Sequence, residues 1–252
     1  MQDLTRRQMV TALASVAALP LLPGCTLTST TSDDTPEARA KALLNSVAHN
    51  VLRQQPESVT FLGLDKVAYS AQWSQLSDLS IEGRRAFAKM ISNDLARVSA
   101  FDTDALSFET RTSIEVIKSA YHTAVEGYAL PYGDVATGSY RNSPYVVIQN
   151  TGAYIDVPRL LSAEHTVSVA TDAESWMARL SQYPKALDGE LERMRAARAI
   201  GLIPPRFLIE KTLTQLQLSA TSAHEGGILA EFITSKTKNL HGNWPQQARK
   251  IL

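Results

Sequence analysis

Gly201-Leu202-Ile203-Pro204-Pro205-Arg206 is the stretch from which the rest of the chain is read. A charged helical pattern arrives from the N-terminal side, a glycine stops it, two prolines forbid its continuation, and a new apolar helical pattern starts at once. Glycine just past one helix and proline at the start of the next is the asymmetry of helix ends, so the stretch predicts a helix-turn-helix corner. Arg206, in the first turn of the second helix, opposes the helix macrodipole. It therefore invites a partner, either a substrate carboxylate or a carboxylate on a neighbouring helix.

Upstream of the corner, Asp188, Glu190, Glu192, Arg193, Arg195 and Arg198 read as the solvated face of a long helix laced with weak ion pairs. Tyr183-Pro184 separates it from a helix begun by the capping box Thr171-Asp172-Ala173-Glu174, with Trp176, Met177 and Leu180 as its apolar stripe. Before these come a short helical piece, Tyr154 to Leu161, started or bent by Pro158, and the one β-type run, Tyr145-Val146-Val147-Ile148. Leu130 to Ser143, with Pro131, Gly133 and Gly138, reads as an irregular loop that either lines a cleft or merely connects. Downstream, Phe207, Leu208, Leu213 and Leu216 continue a helix until Gly226-Gly227, and Trp244-Pro245 starts a last helix without a stop signal.

The first third is plainly helical. Thr35-Pro36-Glu37 is a helix start, followed by Leu43, Leu44, Val47 and Val51 at helical spacing. Glu82 to Phe101 and Phe108 to Tyr128 form two amphipathic helices joined by a short link, an antiparallel hairpin. The expected fold is all-α with at most one short β element. Residues 35 to 252 read as a single domain without internal repeats, truncated at its C-terminus.

The 252 residues carry 25 Lys+Arg and 25 Asp+Glu, so no global field recruits nucleic acid. Residues 1 to 24 read as an export signal: Arg6 and Arg7 resemble a twin-arginine signal, and an apolar run ends in Leu22-Pro23-Gly24-Cys25, like a lipobox. As a helix the run Met9 to Leu22 spans roughly 21 Å, short of a ~30 Å hydrocarbon core. Cys25 is then the lipidation site and anchors the chain to a membrane at the periplasmic or cell-envelope face, with residues 25 to 34 as a flexible tether. The competing reading is a buried N-terminal helix with a surface cysteine. Cys25 is the one cysteine of the sequence, so no disulfide forms within the chain.

Catalytic signatures are thin. His224-Glu225-Gly226-Gly227-Ile228 begins like HExxH, but isoleucine stands where the second zinc ligand belongs. His49, His122, His165 and His241 have no metal-ligand spacing, and no GxSxG, phosphate loop or GxGxxG occurs. Ser235-Lys236-Thr237-Lys238 matches SxxK by so short a pattern that it carries no weight. The residues assign no catalytic group and no metal ligand.

An ordered set of segments resembles the bacterial family called domain of unknown function 885. It comprises Pro56 to Asp65 (PESVTFLGLD), Gln149 to Leu161 (QNTGAYIDVPRLL), Asp172 to Leu180 (DAESWMARL), Tyr183-Pro184 and Gly201 to Arg206, and the likeness runs from about residue 36 to the end. It implies an exported lipoprotein with half of a helical zinc-metallopeptidase fold. The zinc and general base of such a fold belong to a C-terminal half without counterpart here, so the chain is expected to bind no cofactor and to be inactive alone, zinc being expected only in a full-length relative. The missing half, or a peptide, is its expected partner. The alternative is a non-catalytic lipoprotein that binds a peptide or protein. Tyr145, Gln149 and Arg206 match family positions expected to line the cleft.

Overall fold

In the computed structural model, residues 35–66, 68–137, 142–224 and 227–252 are described. Arg6, Arg7, Cys25 and the tether lie outside them, as do Glu225 and Gly226. The described residues form one compact unit. Among the described residues the fold is all-α, with nine α-helices and no strand. The run at Tyr145–Ile148 is not a strand: it is an extended stretch with isolated bridges at Asp134 with Ser143 and Ile148 with Thr151.

Three helices make the first layer. In α1 (Pro36–Gln54), the Thr35 hydroxyl accepts from the Ala38 N–H at 3.1 Å and Pro36 takes the first turn. α3 (Ile81–Ser99) and α4 (Phe108–Tyr128) are capped by Ser80 and Ser107 in the same way. α2 (Pro56–Phe61) lies between α1 and a 3-10 turn at Ser70–Ser74. Arg84 at the start of α3 donates to the Tyr128 hydroxyl at the end of α4, so this pair is antiparallel, as the sequence predicts. Asn50 donates to Asp94, and Arg97 to Ser46, which sets α1 antiparallel to α3. The interior is Val47, Phe87, Ile91, Val98, Ile114 and Tyr121. Glu37 ties the starts of α1 and α4 by accepting from the Thr110 hydroxyl (2.6 Å) and the Ser107 N–H (3.1 Å). These bonds, the Thr110 hydroxyl first, hold its pKa down at about 2.

The second layer is organised by α6 (Ala170–Ala199), a single helix of 30 residues. Two expectations are corrected here. Pro184 does not separate two helices but lies inside one. An interior proline costs about 3 kcal/mol, and packing on both sides outweighs it: Trp176 and Leu180 before it and Ala186 after it are buried in the same core. Nor does Thr171 cap the helix, which begins at Ala170. Asp172 instead reaches back to accept from the N–H groups of Ser168 (2.7 Å) and Val169 (3.2 Å). Against α6 pack α5 (Ala153–Arg159), a π-turn at Leu160–Glu164, α8 (Gly227–Lys236) and α9 (Trp244–Arg249). Pro158 lies within α5 just ahead of the π-turn. Trp176 is fully buried, donates to the Leu161 carbonyl at 2.8 Å and stacks on Phe232. The last helix stops at Arg249, where the N–H groups of Ile251 and Leu252 turn back to the Ala248 carbonyl.

Arg179 joins the layers. It is completely buried, donating to Gln75 O (3.0 Å), Gln72 O (3.2 Å), Thr60 Oγ1 (2.7 Å) and His165 Nδ1 (2.9 Å). His165 donates from Nε2 to the Asp172 carbonyl, so the ring is neutral. Burial, and then the Arg179 charge, push its pKa down to about 4. Farther along α6, Gly189 is where the first layer crosses: a Cβ there would stand 2.8 Å from the Ser80 backbone nitrogen.

Candidate functional site

α6 ends as its sequence dictates. Gly201 takes φ +82°, its N–H reaches the Arg198 carbonyl (3.0 Å), and the Leu202 N–H reaches Ala197 (3.0 Å). This is a Schellman motif, which only glycine enters without strain. Pro204 and Pro205 then carry the chain to α7 (Arg206–His224), whose first turn is accepted by the Pro205 carbonyl.

The corner holds α7 away from α6 and leaves a cleft of about 700 Å³. Its walls are Leu187, Leu191 and Met194 of α6, Leu202 and Ile203 of the corner, Ile209, Leu213 and Leu216 of α7, and Val146 and Val147 of the extended stretch. Tyr145, Tyr154, Glu190, Arg195, Arg198 and Thr212 supply its polar groups. Leu191, Met194, Ile203 and Leu213 are all at least 40% exposed, so this apolar surface is open to solvent.

Glu190 lies where this cleft meets a second cavity of about 580 Å³. Both of its carboxyl oxygens accept from the Ala153 N–H, at 3.0 and 2.9 Å. The Gln149-Asn150-Thr151-Gly152-Ala153-Tyr154 segment is shaped for this approach: Gly152 sits at φ +135°, and a Cβ there would meet the Tyr154 ring at 3.1 Å and Val147 at 3.2 Å. Burial raises the Glu190 pKa to about 7, against the lowering pull of the Ala153 N–H and of Arg193. The Tyr154 hydroxyl lies 2.8 Å from Gln215 Oε1 on α7 and 3.1 Å from the Ile148 carbonyl. Burial, and then Glu190, raise its pKa.

Behind Glu190, the loop at Leu130 to Thr137 is clamped rather than loose. Asp134 pairs with both Arg84 of α3 and Arg193 of α6, the latter at 3.0 Å, and Arg193 also donates to Gly133 O at 3.3 Å. The loop lines the second cavity through Asp134, Ala136 and Thr137.

Of the three expected cleft residues, Tyr145 lines the apolar cleft. Gln149 lies in the turn between Ile148 and Thr151 and lines neither cavity. Arg206 also lines neither: its side chain is 91% exposed and pairs at 2.7 Å with Glu210 of its own helix. A local i,i+4 carboxylate satisfies it, in place of a substrate or a neighbouring helix. The charged face of α6 is corrected too, because Glu190 and Arg193 are buried. The sequence signal beside Glu190 is Gly189, since a glycine inside an unbroken helix has a packing reason, here the close approach of Leu79 and Ser80. Among the described residues, no three His, Cys, Asp or Glu side chains gather as a metal-holding group.

A family model described as "Bacterial protein of unknown function (DUF885)" matches residues 56–252. The chain belongs to the DUF885 family. Among solved structures, this DUF885 chain is similar to the crystal structure of "the putative lipoprotein from Colwellia psychrerythraea", with a TM-score of 0.73 and 17% identity. The match covers 86% of this chain and 37% of that one, so the chain spans well under half of that protein's length. Comparison with curated proteins gives no match.

Proposed function

We propose that the chain is the exported, lipid-anchored N-terminal scaffold of a metallopeptidase-like DUF885 protein, inactive as a peptidase by itself, with the cleft between α6 and α7 as its binding surface. The composition of the cleft carries this reading: an apolar wall open to solvent, drawn from four segments, with one buried carboxyl at its inner side. Such a surface suits recognition and packing, whereas peptide hydrolysis needs a metal and base that the family likeness assigns to a C-terminal half. Export and anchoring rest on Arg6, Arg7 and Cys25. Among the described residues, no helix is long and apolar enough to cross a membrane. A second reading, a stand-alone binding lipoprotein, is favoured by the cleft's volume, which lies within the roughly 300–1,000 Å³ of small-ligand pockets.

The test is to purify the full chain, measure zinc by elemental analysis and assay peptide hydrolysis, alone and with the C-terminal part of a longer DUF885 protein. The chain alone is expected to hold no stoichiometric zinc and to cleave nothing. One tightly bound zinc per chain, or hydrolysis by the chain alone, overturns the reading.

A further inference from the structure

We infer that the α6–α7 cleft takes a single-chain fatty acid, its hydrocarbon tail in the apolar cavity and its carboxylate on Arg195 and Arg198. This rests on the reading of the cleft as a binding surface and names its occupant. The two arginines stand one turn apart in the last turns of α6, and both line the cleft. Neither forms an ion pair or hydrogen bond with any described residue, whereas Arg179 and Arg193 of the same helix, and Arg206 beyond the corner, are engaged. Unpaired guanidiniums beside an apolar cavity select a ligand with an anionic end, because a carboxylate meets their planar fork with charge-assisted bonds. Both are exposed, so they mark the mouth rather than the floor.

The inner side sets the ligand's direction. Glu190 lies there, buried with both oxygens on the Ala153 N–H, and the cations that line the cleft, Arg195 and Arg198, are at the other end. The Thr212 hydroxyl is spent on the Leu208 carbonyl. A tail without polar groups fits that end, whereas an extended peptide would leave backbone groups unpaired against Leu187, Leu213 and Leu216. An anionic membrane surface fits less well, since the site is a concavity on a chain of zero formal net charge.

Calorimetry with the full chain, laurate and dodecyltrimethylammonium, both below micelle formation, tests this. Laurate is expected to bind saturably at one per chain, and the cationic amphiphile at least about tenfold more weakly. The Arg195→Gln/Arg198→Gln double variant is expected to lose about tenfold for laurate, with an unchanged melting curve because both side chains are exposed and unpaired. Leu213→Glu, placing charge in the cavity, is expected to abolish binding. Equal binding of the two amphiphiles, or no effect of the double variant, overturns the carboxylate assignment. Binding of the C-terminal protein part or of a peptide without laurate binding overturns the proposal but leaves the binding surface standing. Binding of anionic vesicles without monomeric laurate overturns it in favour of a membrane, and a cleft that binds none of these sinks both readings.

Discussion

Within the thirty residues of α6, Arg179 in the first half and Glu190 in the second are both buried, and their surroundings treat charge in opposite ways. Arg179 is met by carbonyls, a hydroxyl and a neutral imidazole at fixed positions. Glu190 has one N–H for its two oxygens, and its pKa rises to about 7. The first half therefore holds a charge that folding has satisfied, while the second holds one relieved by taking up a proton, beside a cleft that packing has not closed. Structural weight belongs to the first half and binding capacity to the second.

The largest expected effect tests the first half. Arg179→Met removes the donors that join α2, the 3-10 turn and His165 to α6, leaving Thr60 and two carbonyls buried without them. Breaking a buried charged network by removing one partner costs about 3–5 kcal/mol, so urea unfolding should show a loss of that order. Arg195→Gln, on the same helix but exposed, should stay within about 0.5 kcal/mol of the parent. Similar losses for the two would erase the contrast between the halves.

The next effect sharpens the comparison through pH. The folded pKa of His165 is depressed from 6.5 to about 4, so its contribution is fully present above pH 6.5 and is lost as pH falls towards 4. The folded pKa of Glu190 is raised from 4.5 to about 7, so the folded state keeps its proton longer than the unfolded chain does. Stability is then greatest below pH 4.5 for this group and declines as pH rises through 7. The halves thus tilt the stability curve in opposite directions. Glu190→Gln should remove the second tilt, gaining about 2–3 kcal/mol at pH 8 and little at pH 4.5, by chemical denaturation across that range. A gain independent of pH would mean that Glu190 is not the titrating group.

The same contrast explains what the sequence discloses. The helix start at Thr35, the α3–α4 hairpin and the corner at Gly201 are local chemistry, legible from a cap, glycine, proline and apolar spacing. Pro184 misled because its local preference for a break is overruled by a core built from residues far apart in sequence. Glu190 and Arg193 misled for the related reason that a charge row looks solvated until the partner that buries it is known. For Arg193 that partner is a loop some 60 residues upstream, through Asp134 and Gly133, and for Glu190 it is the Ala153 N–H. No periodicity points to Tyr145 on the cleft wall, and Arg206 faces solvent because Glu210, four residues on, answers its charge locally.

The smallest expected effect concerns the corner that keeps the second half open. A Cβ at Gly201 would meet nothing within 4 Å, so Gly201→Ala creates no clash and its cost is that of holding alanine at φ +82°. That conformation costs an L-residue about 1 kcal/mol, and Gly201→Asn, whose side chain tolerates it, should cost less. Thermal melts of the two variants check the order. The Schellman bonds to Ala197 and Arg198 form whichever residue occupies the position, provided its φ stays positive, so the departure angle of α7 and the apolar cleft should survive both changes. If alanine instead relaxes to negative φ, those bonds break and α7 swings. Laurate binding would then fall together with stability, which would locate the cleft's shape in one glycine rather than in the packing of the apolar walls.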